Sequence, residues 1–241
     1  MREMHLFAGA GGGILGGMLL GHTPVCAVEI DDHCREVLNA RQRDGWLPYF
    51  PIYKDVRDFY GKPWRGRVDV VAGGFPCQPW SVAGSQKGTD DPRHLWPEMA
   101  RIIKEVQPAY VFAENVQLAA FEEPWRDLRR LGYRVPPAIQ VSASDAGAPH
   151  RRKRWWLLAT HPDCEGLEGW DSEGLRECPS ECATRASRAS DFDTSAWWQT
   201  EPPVGRVVNG VARRVDRLKA LGNGQVPMAA ATAWQLLKET L

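Results

Sequence analysis

The stretch His5-Leu6-Phe7-Ala8-Gly9-Ala10-Gly11-Gly12-Gly13 runs from a short apolar strand directly into a glycine-dense turn. Glycines at the end of a strand let the backbone approach a ligand without clashes from Cβ atoms. The helix that follows such a turn directs its N-terminal N–H groups at the ligand. The spacing of Gly11, Gly13 and Gly16 also matches the dinucleotide pattern, which is weak support because the segment is so rich in glycine. We therefore expect a ligand site at the end of the first strand.

Apolar runs alternate with longer amphipathic stretches through residues 1–160, and this pattern predicts an α/β domain with a largely parallel sheet. The predicted strands cover residues 4–8, 24–30, 51–54, 68–72, 110–113 and 155–159. The predicted helices cover residues 31–43, 96–106, 118–131 and 227–241. The composition changes at residue 161, where we expect a small loop-rich insertion.

The overall composition is that of a soluble globular protein. The 241 residues include 30 basic and 30 acidic side chains, so the formal net charge is zero. A hydrophobic fraction of 43% excludes a wholly disordered chain. No apolar run approaches the roughly 18 residues that would cross a bilayer, and no signal-peptide pattern precedes the first strand. We therefore expect a cytoplasmic protein without a membrane partner, and the zero total argues at first against nucleic acid as a partner.

Acidic side chains follow the second and third predicted strands. Glu29 closes the second strand, where a carboxylate can accept hydrogen bonds from the two hydroxyls of a ribose. Asp55 follows residues 51–54, where it can meet an adenine amino group. Together these acids favour a nucleoside ligand, although the topology does not separate NAD from S-adenosylmethionine. The alternative is a simple tight turn with Glu29 as a helix cap.

Cys77 stands apart from the other five cysteines because it follows a buried parallel strand, where open α/β sheets place their chemistry. A thiolate is a strong nucleophile, and Pro76 and Pro79 stiffen the loop around it. No second cysteine lies at the C-x-x-C spacing of redox motifs. Glu114, at the end of the next strand, is predicted to lie within reach of whatever Cys77 attacks; the alternative is a helix cap at Asn115.

Six motifs then occur in a familiar order. They are Phe7-x-Gly9-x-Gly11-Gly12, Glu29, Pro76-Cys77-Gln78, Glu114-Asn115-Val116, Gly147-Ala148-Pro149-His150-x-Arg152-x-Arg154 and Gly222-Asn223. The ordered set resembles the DNA (cytosine-5) methyltransferases over about residues 1–160 and 217–240. Two departures are His150, where the family usually has Gln, and residues 213–221, which resemble phage and prophage members.

The resemblance implies a Rossmann-like sheet, with helices on both faces, that binds S-adenosylmethionine. The cofactor residues it implies are Phe7, Ala8, Gly9, Gly11, Gly12, Glu29, Ile30, Asp55, Val56, Pro76 and Asn223. It implies that the Cys77 thiolate adds to C6 of a flipped cytosine, that C5 takes the methyl group and loses its proton, and that Cys77 is then eliminated. Glu114 would bond N3 of the base, and Arg152 and Arg154 would hold the base oxygen, the Glu114 carboxylate and nearby phosphate.

The resemblance also implies double-stranded DNA as the partner of a monomeric enzyme. The catalytic domain would comprise residues 1–160 and 217–241, with a short target-recognition region at 161–216 and a mobile loop at 81–92. The residues expected to contact DNA are Gln78, Ser81, Asn115, Arg151, Arg206, Arg213 and Arg214. Residues 151–154 and 205–221 each carry a net charge of +4, whereas residues 161–183 carry −6, so the zero total is a cancellation.

Three alternatives stay open at this point. The same chemistry on a tRNA-type RNA is one, because the recognition region is short. A catalytically weak module that binds DNA or the cofactor for regulation is another. Finally, His161, Cys164, Cys178 and Cys182 have a spacing tolerable for zinc, although we favour incidental thiols and expect no metal.

Overall fold

The computed structural model describes residues 1–76, 94–162 and 214–241. Its strands are β1 (Arg2–Leu6), β2 (Thr23–Val28), β3 (Ile52–Tyr53), β4 (Val70–Gly74), β5 (Tyr110–Asn115), β6 (Ile139–Ser142) and β7 (Lys153–Thr160). Its α-helices are α1 (Gly12–Leu19), α2 (Asp32–Arg43), α3 (Trp96–Val106), α4 (Glu122–Arg130), α5 (Arg214–Asn223) and α6 (Pro227–Lys238). Cys77, Gln78, Ser81, Arg206, Arg213, the 81–92 loop and the three cysteines of the zinc hypothesis lie outside the described residues.

The strands form one sheet in the order β3-β2-β1-β4-β5-β7-β6. Neighbouring strands are parallel from β3 to β5, and β7 runs antiparallel to both β5 and β6. The strand order reverses between β1 and β4, and ligands bind open α/β sheets in the crevice outside the carboxyl ends of the strands at such a point. The predicted α/β class and the largely parallel sheet are therefore confirmed.

Helices cover both faces of the sheet. Alternate strand residues point to opposite sides, so each face presents buried apolar side chains to the helices packed on it. On one face, Met4 and Leu6 of β1 pack with the apolar side of α3 and with Leu128 of α4. On the other face, Phe112 of β5 packs with Trp234 of α6. Within the described residues, no helix has the length and apolar character that a membrane span requires.

Two predicted strands end where the backbone geometry changes. β1 ends at Leu6 rather than at residue 8, because Phe7 has a φ of +56°, outside the extended region. β4 runs over Val70–Gly74 rather than residues 68–72, and Gly74 pairs with Glu114 on β5. Both shifts bring the strand ends into line with the ends of their neighbours.

The helix predicted over residues 118–131 is wrong at its start. Residues Leu118–Phe121 form a short 3-10 turn, and α4 begins only at Glu122. Pro124 explains the boundary, because its ring is tolerated only in the first turn of an α-helix. Two elements were not predicted at all: β6, which has only two aliphatic residues, and α5, whose basic composition indicated only a charged segment.

A buried polar cluster lies under α1, where an apolar strand face would be ordinary. Glu3 is 3% exposed, and its Oε2 lies 3.0 Å from Nδ1 of His22 and 3.6 Å from Nε2 of His5. Burial alone would raise the pKa of Glu3, but the two histidines outweigh it and hold this pKa at about 2. Because the folded pKa lies below the unfolded value, the stabilisation is fully present above about pH 4.5 and is lost as the pH falls toward 2.

We expect the substitution Glu3→Gln to lower the free energy of unfolding at pH 7 by about 2–3 kcal/mol, because it removes the buried carboxylate that lies against His22 and His5. This corresponds to a Tm roughly 4–12 °C lower. The control Glu239→Gln, at the exposed end of α6, should change the Tm by less than about 2 °C. Urea unfolding at pH 7 and pH 3 checks the prediction; a difference between Glu3→Gln and the unsubstituted chain that does not shrink at pH 3 would contradict it.

Candidate active site

Four parallel strands bring their carboxyl ends to one edge of the sheet. The glycine turn follows β1, Glu29 follows β2, Pro76 and Cys77 follow β4, and Glu114 lies near the end of β5. β1 and β4 are neighbours at the point where the strand order reverses. The glycine turn, Glu29 and Glu114 therefore lie at the crevice expected to hold a ligand, and Pro76 ends the described part of the chain there.

The glycine turn and Glu29 are bonded to each other. Oε2 of Glu29 accepts the Gly9 N–H at 2.6 Å, and Oε1 accepts the Asp31 N–H at 2.8 Å. Gly11 precedes α1 with a φ of +96°, a conformation that favours glycine. Phe7 holds φ +56° without being glycine, and such backbone strain is often retained at ligand sites. The turn and the carboxylate thus form one preorganised unit, with open space above Gly9.

The C-terminal segment returns to this turn. A Cβ on Gly12 would lie 2.0 Å from the Gln225 backbone oxygen, so only glycine admits this approach. Nη2 of Arg152 donates to the carbonyl oxygens of Gly222 and Gly224, each at 2.7 Å. Exposed Asn223 lies between these two bonded residues. The segment between α5 and α6 is therefore fixed against the glycine turn.

A second tie joins α5 to the loop after β2. Nζ of Lys219 lies 2.7 Å from Oδ2 of Asp31, whose own pKa is lowered chiefly by this hydrogen bond. Asp31 also accepts the Cys34 N–H at the start of α2. The loop after β2 thus contains Glu29 and also binds α5 through the Asp31–Lys219 ion pair.

Glu114 is buried, with 8% of its surface exposed, and forms an ion pair with Arg154. Oε1 of Glu114 lies 2.8 Å from Nε of Arg154 on the neighbouring strand β7. Burial raises the pKa of Glu114, and it outweighs the opposing charges of Arg154 and Arg152 and a hydrogen bond from Gln225. A carboxyl group whose pKa is raised by burial gives up its proton less readily than an exposed one, which suits a general acid.

Arg152 differs from its predicted role beside Arg154. Its Nη2 is engaged by two backbone oxygens of the C-terminal segment, and its Nε is buried without a partner among the described residues. Burial and the nearby Arg154 lower the pKa of Arg152. Arg154, by contrast, forms an ion pair with the Glu114 carboxylate, which is one of the contacts that the resemblance implied for it.

Asn115 differs in the same way. Its side chain is 1% exposed; Nδ2 donates to the Phe75 carbonyl at 3.1 Å, and Oδ1 accepts the Val116 N–H at 2.8 Å. A buried side chain with both amide groups bonded offers no surface to DNA, in contrast to the predicted contact. It also caps no α-helix; it fixes the backbone two residues before Cys77.

The remaining predicted residues lie around the crevice or on its rim. Ile30 is 54% exposed beside Glu29. Asp55 follows β3, and its pKa is lowered by its hydrogen bond to Arg57. Val56 is buried in the core and its carbonyl oxygen accepts from Nη2 of Arg101, and Pro76 is half-buried. Ala8 belongs to the glycine turn, and Arg151 is exposed. Arg214 is the first residue of α5.

No group of metal-binding side chains occurs in the part of the chain that the structure describes. His161 packs edge-on against Tyr133, and the three cysteines of the zinc hypothesis lie outside the described ranges. Gln225 is the residue that sequence reasoning missed. It lies two residues after Asn223, just beyond the Gly222-Asn223 motif, and this proximity is the sequence feature that indicates a place in the site.

A family model described as C-5 cytosine-specific DNA methylase matches residues 1–191. This chain belongs to that family. The type II methyltransferase M.Eco47II of Escherichia coli is 36% identical over 174 residues, which cover 68% of the methylase chain and 41% of the relative. M.CviJI of Paramecium bursaria Chlorella virus IL3A is 30% identical over 207 residues, which cover 84% of the chain and 50% of the relative. The methylase chain thus spans half the length of these curated relatives or less.

Solved structures resemble the methylase fold. A protein encoded within an Escherichia coli prophage and assigned as a DNA modification methyltransferase is 28% identical with a TM-score of 0.54, covering 68% of this chain and 47% of its own. The Dnmt2 methyltransferase of Schizosaccharomyces pombe is 24% identical with a TM-score of 0.54, covering 73% and 58% of the two chains. The second likeness concerns the fold alone.

Proposed function

We propose that the chain transfers a methyl group from S-adenosylmethionine to C5 of cytosine in double-stranded DNA. The observation that carries this proposal is the buried ion pair of Glu114 and Arg154, one strand away from the end of β4 where Cys77 follows. A nucleophile beside an acid with a raised pKa is the pair that addition to a pyrimidine ring requires. The cytosine methylases to which the chain is similar support the substrate.

The residues at the glycine turn fit S-adenosylmethionine. Glu29 presents a carboxylate held by two backbone N–H groups, and its remaining lone pairs can accept two ribose hydroxyls. Gly9 leaves open space above the turn, and the exposed Ile30 offers an apolar surface for an adenine. Asp55 and Asn223 would complete the site from β3 and the C-terminal segment. When bound, the cofactor supplies an electrophilic methyl group.

The residues of the chain would carry the remaining steps. Cys77, as a thiolate, forms a bond from sulfur to C6, and the electron pair of the C5–C6 bond becomes available at C5. Glu114 donates a proton or a hydrogen bond at N3, which disperses the charge that develops on the ring. After C5 has gained the methyl group, a water molecule takes the proton from C5, the electron pair of that C–H bond restores the C5–C6 double bond, and the sulfur–C6 bond breaks so that Cys77 leaves as a thiolate. Arg154 keeps Glu114 oriented throughout.

The target carbon is inaccessible in a stacked duplex, so we propose that the base is flipped out, at a cost of a few kcal/mol. Exposed Arg151, which precedes Arg152 in the chain, and the basic stretch 205–221 would contact phosphate. The short region 161–216 would read the target sequence. We propose that one monomer suffices.

Methyl transfer to duplex DNA and to tRNA, measured side by side with labelled S-adenosylmethionine, tests the substrate. Incorporation into duplex DNA, recovered as 5-methylcytosine, is the expected result. Incorporation into tRNA alone would replace DNA by RNA as the substrate. Binding of DNA and cofactor without any transfer would instead indicate the regulatory module.

We expect Glu29→Ala to weaken binding of S-adenosylmethionine by about 10–100-fold, because it removes charged acceptors and releases the Gly9 N–H. The control Asp32→Ala removes an acid whose side chain is 79% exposed, and its affinity should stay within about threefold of the unsubstituted chain. Isothermal titration measures both. Equal affinities for Glu29→Ala and the unsubstituted chain would show that the carboxylate does not hold the ribose.

A further inference from the structure

Gln225 lies where three parts of the site meet. It follows Gly224 in the link between α5 and α6, and it is half-buried. Its backbone oxygen packs on Gly12, and its Oε1 lies 2.4 Å from where a Cβ on Gly13 would be. The side chain therefore crosses the first turn of α1 and reaches into the sheet edge.

The far end of this side chain meets Glu114. If Gly74 had a side chain, its Cβ would lie 2.9 Å from Nε2 of Gln225 and 2.7 Å from Oε2 of Glu114. Both groups therefore occupy the space beside Gly74 that a side chain would fill. Nε2 of Gln225 and Oε2 of Glu114 are therefore neighbours beside Gly74, where an amide nitrogen can only donate to a carboxylate, and the Gln225 amide lowers the pKa of Glu114. Oε1 of Glu114 is already bonded by Arg154, so the two oxygens have separate partners.

We propose that Gln225 is a positioning residue that holds the Glu114 carboxylate against the end of β4 and links it to the glycine turn. The argument rests on the proposed function of Glu114. One end of the residue is fixed on Gly12, beside the cofactor site, and the other end on the carboxylate that faces the target base. A shift of the glycine turn when the cofactor binds would therefore be passed directly to Glu114.

The hydrogen bond also has a chemical consequence. An amide donor stabilises the charged form of a carboxylate, so its loss raises the pKa of Glu114 further. The other charged groups facing Glu114 are Arg154 and Arg152, and both lower its pKa. A residue that only filled space would leave this pKa where it is.

The pH dependence of kcat with duplex DNA, measured for the full chain and for Gln225→Met and Gln225→Glu, tests the proposal. One limb of the pH profile reports the titration of Glu114, and it is identified as the limb that is absent from the profile of Glu114→Gln. We expect this limb to move to higher pH in Gln225→Met and further in Gln225→Glu, which adds a like charge. In Gln225→Met, kcat at pH 7 should fall by about tenfold or more.

The matched control is Gln235→Met on the exposed side of α6, which should change neither kcat nor the limb. An unmoved limb in both Gln225 variants, with Tm values like that of the control, would overturn the proposal. If Gln225→Met does not fold, the near-isosteric Gln225→Glu decides alone. If the unsubstituted chain methylates DNA and the Gln225 variants keep the Glu114 limb at the same pH, only this inference is refuted. If the unsubstituted chain has no activity at all, the proposed function is refuted.

Discussion

Replacing Cys77 with serine should lower methyl transfer to DNA by about 10⁴-fold or more, the scale of loss seen when a covalent nucleophile is removed. A serine hydroxyl is almost wholly un-ionised at neutral pH, so it cannot add to C6 at a useful rate. The affinity for S-adenosylmethionine should stay within about threefold, because most of the expected cofactor residues follow β1, β2 and β3, and serine is nearly the same size as cysteine.

The matched control is Cys34→Ser. Cys34 is 6% exposed, and burial, followed by the charges of Glu29 and Asp31, raises the pKa of its thiol to about 12. It is therefore a thiol rather than a thiolate at neutral pH, and its replacement should leave turnover within about threefold. Rates measured with labelled cofactor under single-turnover conditions compare the two variants. Turnover of Cys77→Ser at the rate of Cys34→Ser would rule out Cys77 as the nucleophile.

Replacing Glu114 with glutamine should lower kcat by about 10²–10⁴-fold, the usual contribution of a positioned general acid. The amide keeps the size of the side chain and can still bond Arg154, but it cannot deliver a proton to N3. Because burial raises the pKa of Glu114, the unsubstituted chain should lose activity as the pH rises through that pKa, and this limb should vanish in the variant.

Glu122→Gln provides the comparison, because Glu122 is exposed at the start of α4 and has the same chemistry without the burial. Its kcat should match that of the unsubstituted chain across the pH range. DNA binding by Glu114→Gln, measured by fluorescence anisotropy, should change by less than about fivefold. A kcat within twofold of the unsubstituted chain would contradict the assignment of Glu114 as the acid.

The sequence predicted best those parts of the molecule that depend on short segments. A strand ending in glycines and acids following strands are local patterns, and parallel topology then brings them to one edge. The position of Glu29 against Gly9 agrees with that logic, whereas the pairing of Glu114 with Arg154 on the antiparallel strand β7 was implied only by the family resemblance. Local reasoning failed where a single residue sets a boundary, as Pro124 does for α4.

Contacts between distant segments could not be predicted in this way. Arg152 bonds the Gly222 oxygen across 70 residues of sequence, and no local feature of either segment indicates that contact. Asn115 was expected to contact DNA, but its amide donates to the backbone of Phe75, which directly follows the neighbouring strand β4. Gln225 belongs to the same class, since its partners Gly12 and Glu114 lie on other elements. These contacts depend on the order of the strands in the sheet and on the packing of the C-terminal segment against the glycine turn, neither of which a local sequence pattern indicates.

The central claim is that this chain methylates cytosine at C5 in DNA. Bisulfite sequencing of DNA from a host that lacks other cytosine methylases, and that expresses either the 241-residue chain or its Cys77→Ser variant, tests it most directly. We predict protected cytosines within a defined sequence context for the unsubstituted chain and none for the variant. Complete conversion of cytosines in both samples, with both proteins folded and present, would contradict the claim.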